Sequence, residues 1–242
     1  MTRQLVLASD NQGKLRELIS LLSESGFSVV GQGALGVTPA EETGETFVEN
    51  AILKARNAAR QTGHPAIADD SGIEVDALGG APGVYSARFA GERASDSENV
   101  SKMLSQVVDV PSEERQARFR CLMVYLRQAD DPAPLICEGI WSGCITASLS
   151  GENGFGYDPV FWVPEENCTA AELSPARKNM LSHRARALRL LVDRLKESAG
   201  NFPSPHLTQP PPPSVQSSPV PAASHTNQRT HITIIHIHLT AH

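Results

Sequence analysis

Two adjacent carboxylates, in Ile67-Ala68-Asp69-Asp70-Ser71-Gly72, are the side chains of this chain best suited to chemistry. The run Pro65-Ala66-Ile67-Ala68 reads as a short buried strand, and Ser71-Gly72 as its exit turn. The carboxylates then stand at the end of a strand, where open α/β sheets place their ligands. There they could act as a base or hold a hard cation. The plain alternative is turn chemistry, with one Asp serving as a cap.

A second group is Ser9-Asp10-Asn11, followed by Lys14. A lysine in a first helical turn sits at the positive end of the helix dipole, which is unfavourable. An anion docked on the free N–H groups and the ammonium reverses that sign. No GxxxxGK[ST] is present, so this is not a Walker A loop. Lys14 is either part of a phosphate site or a solvated surface residue. The loop from Gly31 to Glu45 adds Glu41, Glu42 and Glu45. Glu45 and Glu49 suit a helix N-terminus, whereas Glu41 lies further out and is the better ligand candidate. In Gly151-Glu152-Asn153-Gly154-Phe155-Gly156-Tyr157-Asp158-Pro159, glycines flank Phe155 on both sides. Its ring either stacks on a flat ligand beside Asp158 or folds into the core of a tight hairpin. Lys178, His183 and Arg184 come last, as helix charges open to solvent or as ligand contacts from a helix start.

The elements that must position these groups follow from periodicity. Gln4 to Ala8 is a strand, and Leu15, Leu18, Ile19 and Leu22 form the apolar stripe of a helix capped by Ser9, Asp10 or Asn11. Phe27 to Val30 is a second strand. Thr46-Phe47-Val48-Glu49 is a capping box; its helix runs to about Gln61 with a buried side of small residues. Ile73 to Leu78 alternates like a separate, half-exposed strand, and Gly79 to Arg88 is a shaped loop. Ser95-Asp96-Ser97-Glu98 is another capping box, with Val100, Met103, Leu104 and Val107 buried behind it. Arg118 to Leu126 is a central strand, apolar on both faces, and Leu135 to Ala147 is its antiparallel partner, so the sheet is mixed. Val160 to Val163 resumes the sheet. Ser174-Pro175 is an N-cap followed by proline at the first helical position. A final helix buries Leu188, Leu191, Val192 and Leu195.

Composition divides the chain near residue 200. Residues 201–242 hold eight of the 17 prolines, six of the 8 histidines and one charged residue, Arg229. They are expected to be a disordered Pro/His-rich tail without a function of its own. All 27 acidic residues and 20 of the 21 basic ones precede Asn201, so that body is net −7. Such a balance argues against a protein that coats nucleic acid, but not against a small phosphate ligand in a local basic pocket. The four cysteines have no CxxC spacing, which speaks against a zinc cluster and for a reduced, cytoplasmic protein. No signal peptide or membrane span is expected.

In order along the chain stand Ser9-x-Asn11-x-x-Lys14-x-x-Glu17, Glu41-x-x-Gly44-Glu45-x-Phe47-x-Glu49-Asn50 and Ala68-Asp69-Asp70-Ser71-Gly72. Gly79-Gly80-x-Pro82-Gly83-x-Tyr85-Ser86, Gly154-Phe155-Gly156-Tyr157-Asp158-Pro159 and Ser182-His183-Arg184 follow. Over residues 3–198 this resembles the inosine/xanthosine triphosphate pyrophosphatase family. Each motif alone is modest; six in order are highly specific. Two departures are Asp10, where many members have Gly, and the tail, which has no counterpart. The resemblance implies hydrolysis of ITP, dITP or XTP to the monophosphate and pyrophosphate, with Mg²⁺, in a homodimer. It matches Asp70 to the general base and a metal ligand, and Glu41 to a second metal ligand. Ser9, Asp10, Asn11, Gln12, Gly13 and Lys14 match a triphosphate-contacting turn, and Ser71 a substrate contact. Phe155, Gly156, Tyr157, Asp158, Lys178, His183 and Arg184 match the purine pocket, where Arg184 or a protonated His183 would favour a 6-oxo group over an amine. The expected fold is α/β: a mixed, elongated central sheet flanked by helices, in two lobes with the active site in the cleft between them. Two other functions stay open: a catalytically silent nucleotide sensor, and a related pyrophosphatase for other modified nucleotides.

Overall fold

The architecture is built on two long antiparallel strands of 11 residues each, Gln116–Leu126 and Leu135–Ile145. The computed structural model describes residues 3–22 and 27–201. β1 (Arg3–Leu7) pairs in parallel with β2 (Phe27–Gly31) and with β3 (Ala66–Val75); β3, β4 (Gln116–Leu126), β5 (Leu135–Ile145), β6 (Phe161–Val163) and β7 (Cys168–Thr169) pair antiparallel. The sheet has seven strands in the order β2-β1-β3-β4-β5-β6-β7, mixed and mostly antiparallel. Of the expected tail, 201–242, Asn201 closes the last helix and residues 202–242 lie outside the described residues.

Among the described residues five α-helices flank this sheet: α1 (Gln12–Leu22), α2 (Phe47–Thr62), α3 (Asp96–Gln106), α4 (Pro175–Leu181) and α5 (His183–Asn201). Their starts obey the sequence signals. Both expected capping boxes form, Thr46 with Glu49 and Ser95 with Glu98, and Ser174 caps α4 with Pro175 at its first position. In α1 the cap is Asn11, whose Oδ1 accepts from the Lys14 N–H at 3.0 Å. Ile19, expected in the buried stripe of α1, is 44% exposed; Leu18 and Leu22 carry the packing.

One expectation is overturned. Ser71-Gly72 is not a turn: β3 continues unbroken from Ala66 to Val75, in register with β4 along its whole length. Gly72 is there for close approach. A Cβ at this position would meet the Gly83 carbonyl oxygen, Ser86 Oγ at 2.5 Å and the Phe47 ring at 2.9 Å. The small residue is needed because a neighbouring segment crosses the strand, a demand that local sequence does not display.

The two lobes are the two ends of one sheet. At one end, Leu5, Leu7, Leu18, Ile67, Met123 and Leu188 fill one face, and the alanines of α2 pack with Val6, Ala68, Val124 and Leu126 on the other. At the other end Ile73, Val75, Met103, Phe119, Trp141, Phe161 and Val163 form a second core. β3, β4 and β5 pass through both, so residues 1–202 form a single compact unit.

Candidate active site

β1 stops at Leu7, opposite Ile67, while β3 runs on. The amide of Ala8 still donates to the Ile67 carbonyl at 2.8 Å, and the chain then turns away into α1. Asp69 and Asp70 are therefore mid-strand residues that lie past the end of their β1 neighbour. The ligand position expected at the carboxyl end of a strand survives, but the strand that ends is β1. A cavity of about 330 Å³ opens here, lined from both ends of the sheet.

Successive strand residues face opposite ways, and the two carboxylates have different partners. Oδ2 of Asp69 accepts from Ser71 Oγ at 2.8 Å, Lys14 Nζ at 2.9 Å and Arg184 Nε at 3.3 Å. Its Oδ1 is buried without a partner among the described residues. Burial pushes the Asp69 carboxyl up, but Lys14, Arg184 and Lys54 more than offset it and hold the group well below the usual carboxylate range. On the opposite face, Asp70 Oδ1 pairs with Lys54 Nζ at 2.7 Å, and Lys54 also reaches Glu42 Oε1 at 3.0 Å. Burial raises the Asp70 carboxyl against the pull of Lys54. Asp70 is thus the more basic of the pair and the better placed to accept a proton.

Glu41, expected as a metal ligand, is exposed and does not line the cavity; Glu42 does. Adjacent residues of an extended loop point to opposite sides, and sequence alone does not say which one turns inward. Lys54 does not stand out in the sequence. Its one faint signal is spacing: Asn50 and Lys54 are i, i+4, beside the buried alanines of α2.

Ser9, Asp10, Asn11 and Lys14 line the cavity beside the start of α1. Gln12 does not; its side chain bonds the Asp10 carbonyl and faces a separate surface groove. The Asp10 carboxylate is turned aside, accepting from Gln32 Nε2 at 2.8 Å. Gly13 has another use: a Cβ there would lie 2.6 Å from the Phe155 ring, so only glycine lets that ring rest on α1.

Phe155 is half-buried, with Lys178 Nζ 4.8 Å and Arg184 Cζ 5.0 Å from its ring centre. These cations are held by acids beneath them. Glu17 bonds Lys178 at 2.9 Å and Arg184 at 2.7 Å, and Asp158 bonds Lys178 at 2.6 Å and the Phe155 amide at 2.8 Å. Glycine at 154 is required with φ at +78°, where a Cβ would strike the Asp158 carboxylate. Gly156 lines the cavity, and its amide donates to Asp96 at 2.7 Å. Tyr157 lines it too, but its hydroxyl is committed to the Ser86 carbonyl at 2.8 Å. Ser71 also lines the cavity, its proton committed to Asp69.

His183 lines the cavity from the start of α5, stacked on Phe119 with ring centres 4.7 Å apart. It is 2% exposed, and both ring nitrogens lack partners among the described residues. Burial, with Arg184 and Lys178 nearby, holds its pKa well below the ordinary value. The protonated His183 expected as a donor is therefore replaced by a neutral imidazole, which still offers one N–H. Glu17 is visible in the sequence only as a motif position; its role in joining Lys178 to Arg184 needs the tertiary fold.

The arrangement can bind a polyanion at the start of α1, cover a flat ring with Phe155, and supply donors to that ring's edge. The profile of the Ham1 family matches residues 5–194. The chain is 58% identical over 195 residues to the dITP/XTP pyrophosphatase of Vibrio cholerae, covering 81% of this chain and 98% of that one. It is 60% identical over 196 residues to the dITP/XTP pyrophosphatase of Pectobacterium atrosepticum, covering 81% and 100%. Among solved structures, a HAM1 protein from Coxiella burnetii superimposes with a TM-score of 0.75 at 48% identity, covering 81% of this chain and 100% of that one.

Proposed function

The chain belongs to the Ham1 family, and from that premise we propose that it hydrolyses ITP, dITP and XTP to the monophosphate and pyrophosphate, clearing them from the cytoplasmic nucleotide pool. One observation carries this reading. A single cavity joins Asp70, a carboxylate made more basic by burial, to a pocket of Phe155, Lys178, His183 and Arg184.

Asp70 takes the proton of the attacking water. Lys14 and the free amides at the start of α1 hold phosphate oxygens, and Lys54 adds charge beside Asp70. Phe155 covers the purine. Arg184, Lys178 and the His183 N–H are donors, which pair with a 6-oxo group and oppose the 6-amine of adenine. Rejection of this kind is large, because a mismatched base leaves buried polar groups unpaired.

We infer a Mg²⁺ requirement from the donor set. Lys14, Lys54, Lys178 and Arg184 are already neutralised by Asp69, Asp70, Glu42, Glu17 and Asp158. A triphosphate entering this balance needs more positive charge. No cluster of three metal-binding side chains exists among the described residues, which suits a cation that takes one or two carboxylates and completes its shell with water and phosphate oxygens. Asp70 and Glu42, which share Lys54, would hold it; bound there, it would neutralise phosphate oxygens as charge develops.

A homodimer is also proposed. It rests on the family resemblance; light scattering of the purified chain tests it. No helix among the described residues is long and apolar enough to cross a membrane.

The deciding experiment is a substrate panel. With Mg²⁺, pyrophosphate release from ITP and XTP is expected to exceed that from ATP and GTP by orders of magnitude. Equal rates on all four would end the specificity claim, and binding of ITP without release would mark a sensor. Asp70→Asn is expected to lower kcat by about 10²- to 10⁴-fold, the usual share of a general base, with an unchanged circular dichroism spectrum.

A further inference from the structure

Each cation lining the cavity is already held by a carboxylate at hydrogen-bond distance: Lys14, Lys54, Lys178 and Arg184 at 2.6–2.9 Å. Arg88 differs. It closes the 3-10 segment Gly83–Arg88, whose Ser86 and Ala87 line the cavity. Its nearest acids are Glu42 at 3.8 Å and Glu92 at 3.9 Å, both beyond hydrogen-bond reach, and the Glu92 side chain is 88% exposed. The guanidinium lies 5.2 Å from the centre of the Tyr85 ring. That ring is 56% exposed and does little for the core.

The charges on the Asp70 face therefore form a line: Asp70, Lys54, Glu42, Arg88. Phe155 and the base pocket lie with Asp158, Lys178 and Arg184, toward Asp69. A triphosphate attacked near Asp70 carries its two outer phosphates beyond that point, away from the base. We propose that Arg88 is a phosphate-binding residue, whose guanidinium grips the outer phosphates of the bound triphosphate and then the departing pyrophosphate. This rests on the triphosphate reading above. The planar fork of N–H donors matches phosphate oxygens two at a time, and the Tyr85 ring holds its plane. Bond cleavage leaves more negative charge on the departing pyrophosphate, so a cation at that end acts most strongly in the transition state. Glu42 provides the resting partner, close enough to keep Arg88 at the rim and too distant to occupy its donors.

The test measures ITP hydrolysis by the full chain with Mg²⁺, together with inhibition by inorganic pyrophosphate and by IMP. Arg88→Ala is expected to weaken pyrophosphate inhibition and raise KM for ITP by about tenfold or more, as expected for loss of a charge-assisted pair. Inhibition by IMP, which lacks the outer phosphates, should not change, and Arg88→Lys should recover part of the loss. Arg88→Gln keeps the stem and is expected to show the same losses if the alanine variant is unstable. Pyrophosphate and IMP inhibition moving together, or neither moving, overturns the assignment. Calorimetric titration of inorganic pyrophosphate into wild type and variant needs no turnover, so it separates a failure of this assignment from a failure of the enzymatic reading; equal affinities overturn the assignment.

Discussion

Asp69 and Asp70 share a dipeptide and almost nothing else. Asp69 gathers Lys14, Ser71 and Arg184 on one oxygen, whereas Asp70 pairs with Lys54 on one oxygen and accepts from the Asn50 amide at 3.5 Å on the other. Lys54 is thus the side chain whose removal best tests the Asp70 face. Lys54→Met should lower kcat for ITP by about 10²- to 10³-fold, the scale of losing one preorganised charge. An unchanged kcat in steady-state pyrophosphate release would rule out that role. His183 gives a second test, through pH. Its folded pKa is depressed, mainly by burial, while the unfolded chain protonates near the ordinary value of about 6.5. Below that value the unfolded state binds the extra proton, so stability is fully present above about pH 6.5 and is lost as pH falls toward the depressed folded value. Between pH 6.5 and 5.5 the loss is about 1 kcal/mol, a drop in Tm of roughly 2–4 °C for a chain of this size. Melting curves of His183→Gln should lack this increment; an identical acid slope in wild type and variant would refute the buried neutral imidazole.

At the scale of elements, the helices are legible in the sequence because their signals are local. Both capping boxes, the Ser174-Pro175 start and the antiparallel pair β4–β5 follow from residues within a few positions of each other. β3 is misleading in the sequence because Ser71-Gly72 imitates a turn, while the real demand on Gly72 comes from Gly83 and Ser86 across the fold. Which of Glu41 and Glu42 turns inward is likewise set at long range: Glu42 is the one that meets Lys54 and Arg88. Placement of the base-pocket cations depends on another long-range contact, at Gly139. A Cβ there would strike the His183 carbonyl and lie 2.6 Å from the Ala187 nitrogen, so β5 and the first turn of α5 meet backbone to backbone. Gly139→Ala should push α5 outward, lowering Tm and reducing ITP turnover more than it changes KM for other nucleotides. Gly13→Ala presses on the Phe155 ring alone. It should leave Tm within a few degrees and raise KM for ITP about tenfold, as expected for one disturbed aromatic contact. Both are read from thermal melts and steady-state kinetics, and a Gly139 variant with normal melting and turnover would show that the contact relaxes without cost.

For the whole molecule, the question is how much of the chain the enzyme needs. The family profile ends at residue 194, and relatives of full length are covered by about 195 residues of this chain. The last helix explains where that limit falls. Leu188 and Leu191 are buried against β1, α1 and the long strands, and Val192 and Leu195 pack at the margin of the same cluster. Past Leu195 the described side chains, Lys196 and Glu197, are exposed. A chain ending at Asn201 should keep its Tm, kcat and KM within about twofold of the full chain, because the cavity-lining and core residues among the described ones all precede it. A chain ending at Ala187 should not fold. It loses two fully packed leucines, each worth about 2–5 kcal/mol on truncation alone, and their partners besides, against a total stability of about 5–15 kcal/mol. Urea unfolding and pyrophosphate release on the three chains decide the matter: a defect in the Asn201-terminated chain would assign a role to residues 202–242, and a folded Ala187-terminated chain would show that the second lobe and the sheet hold the site without α5.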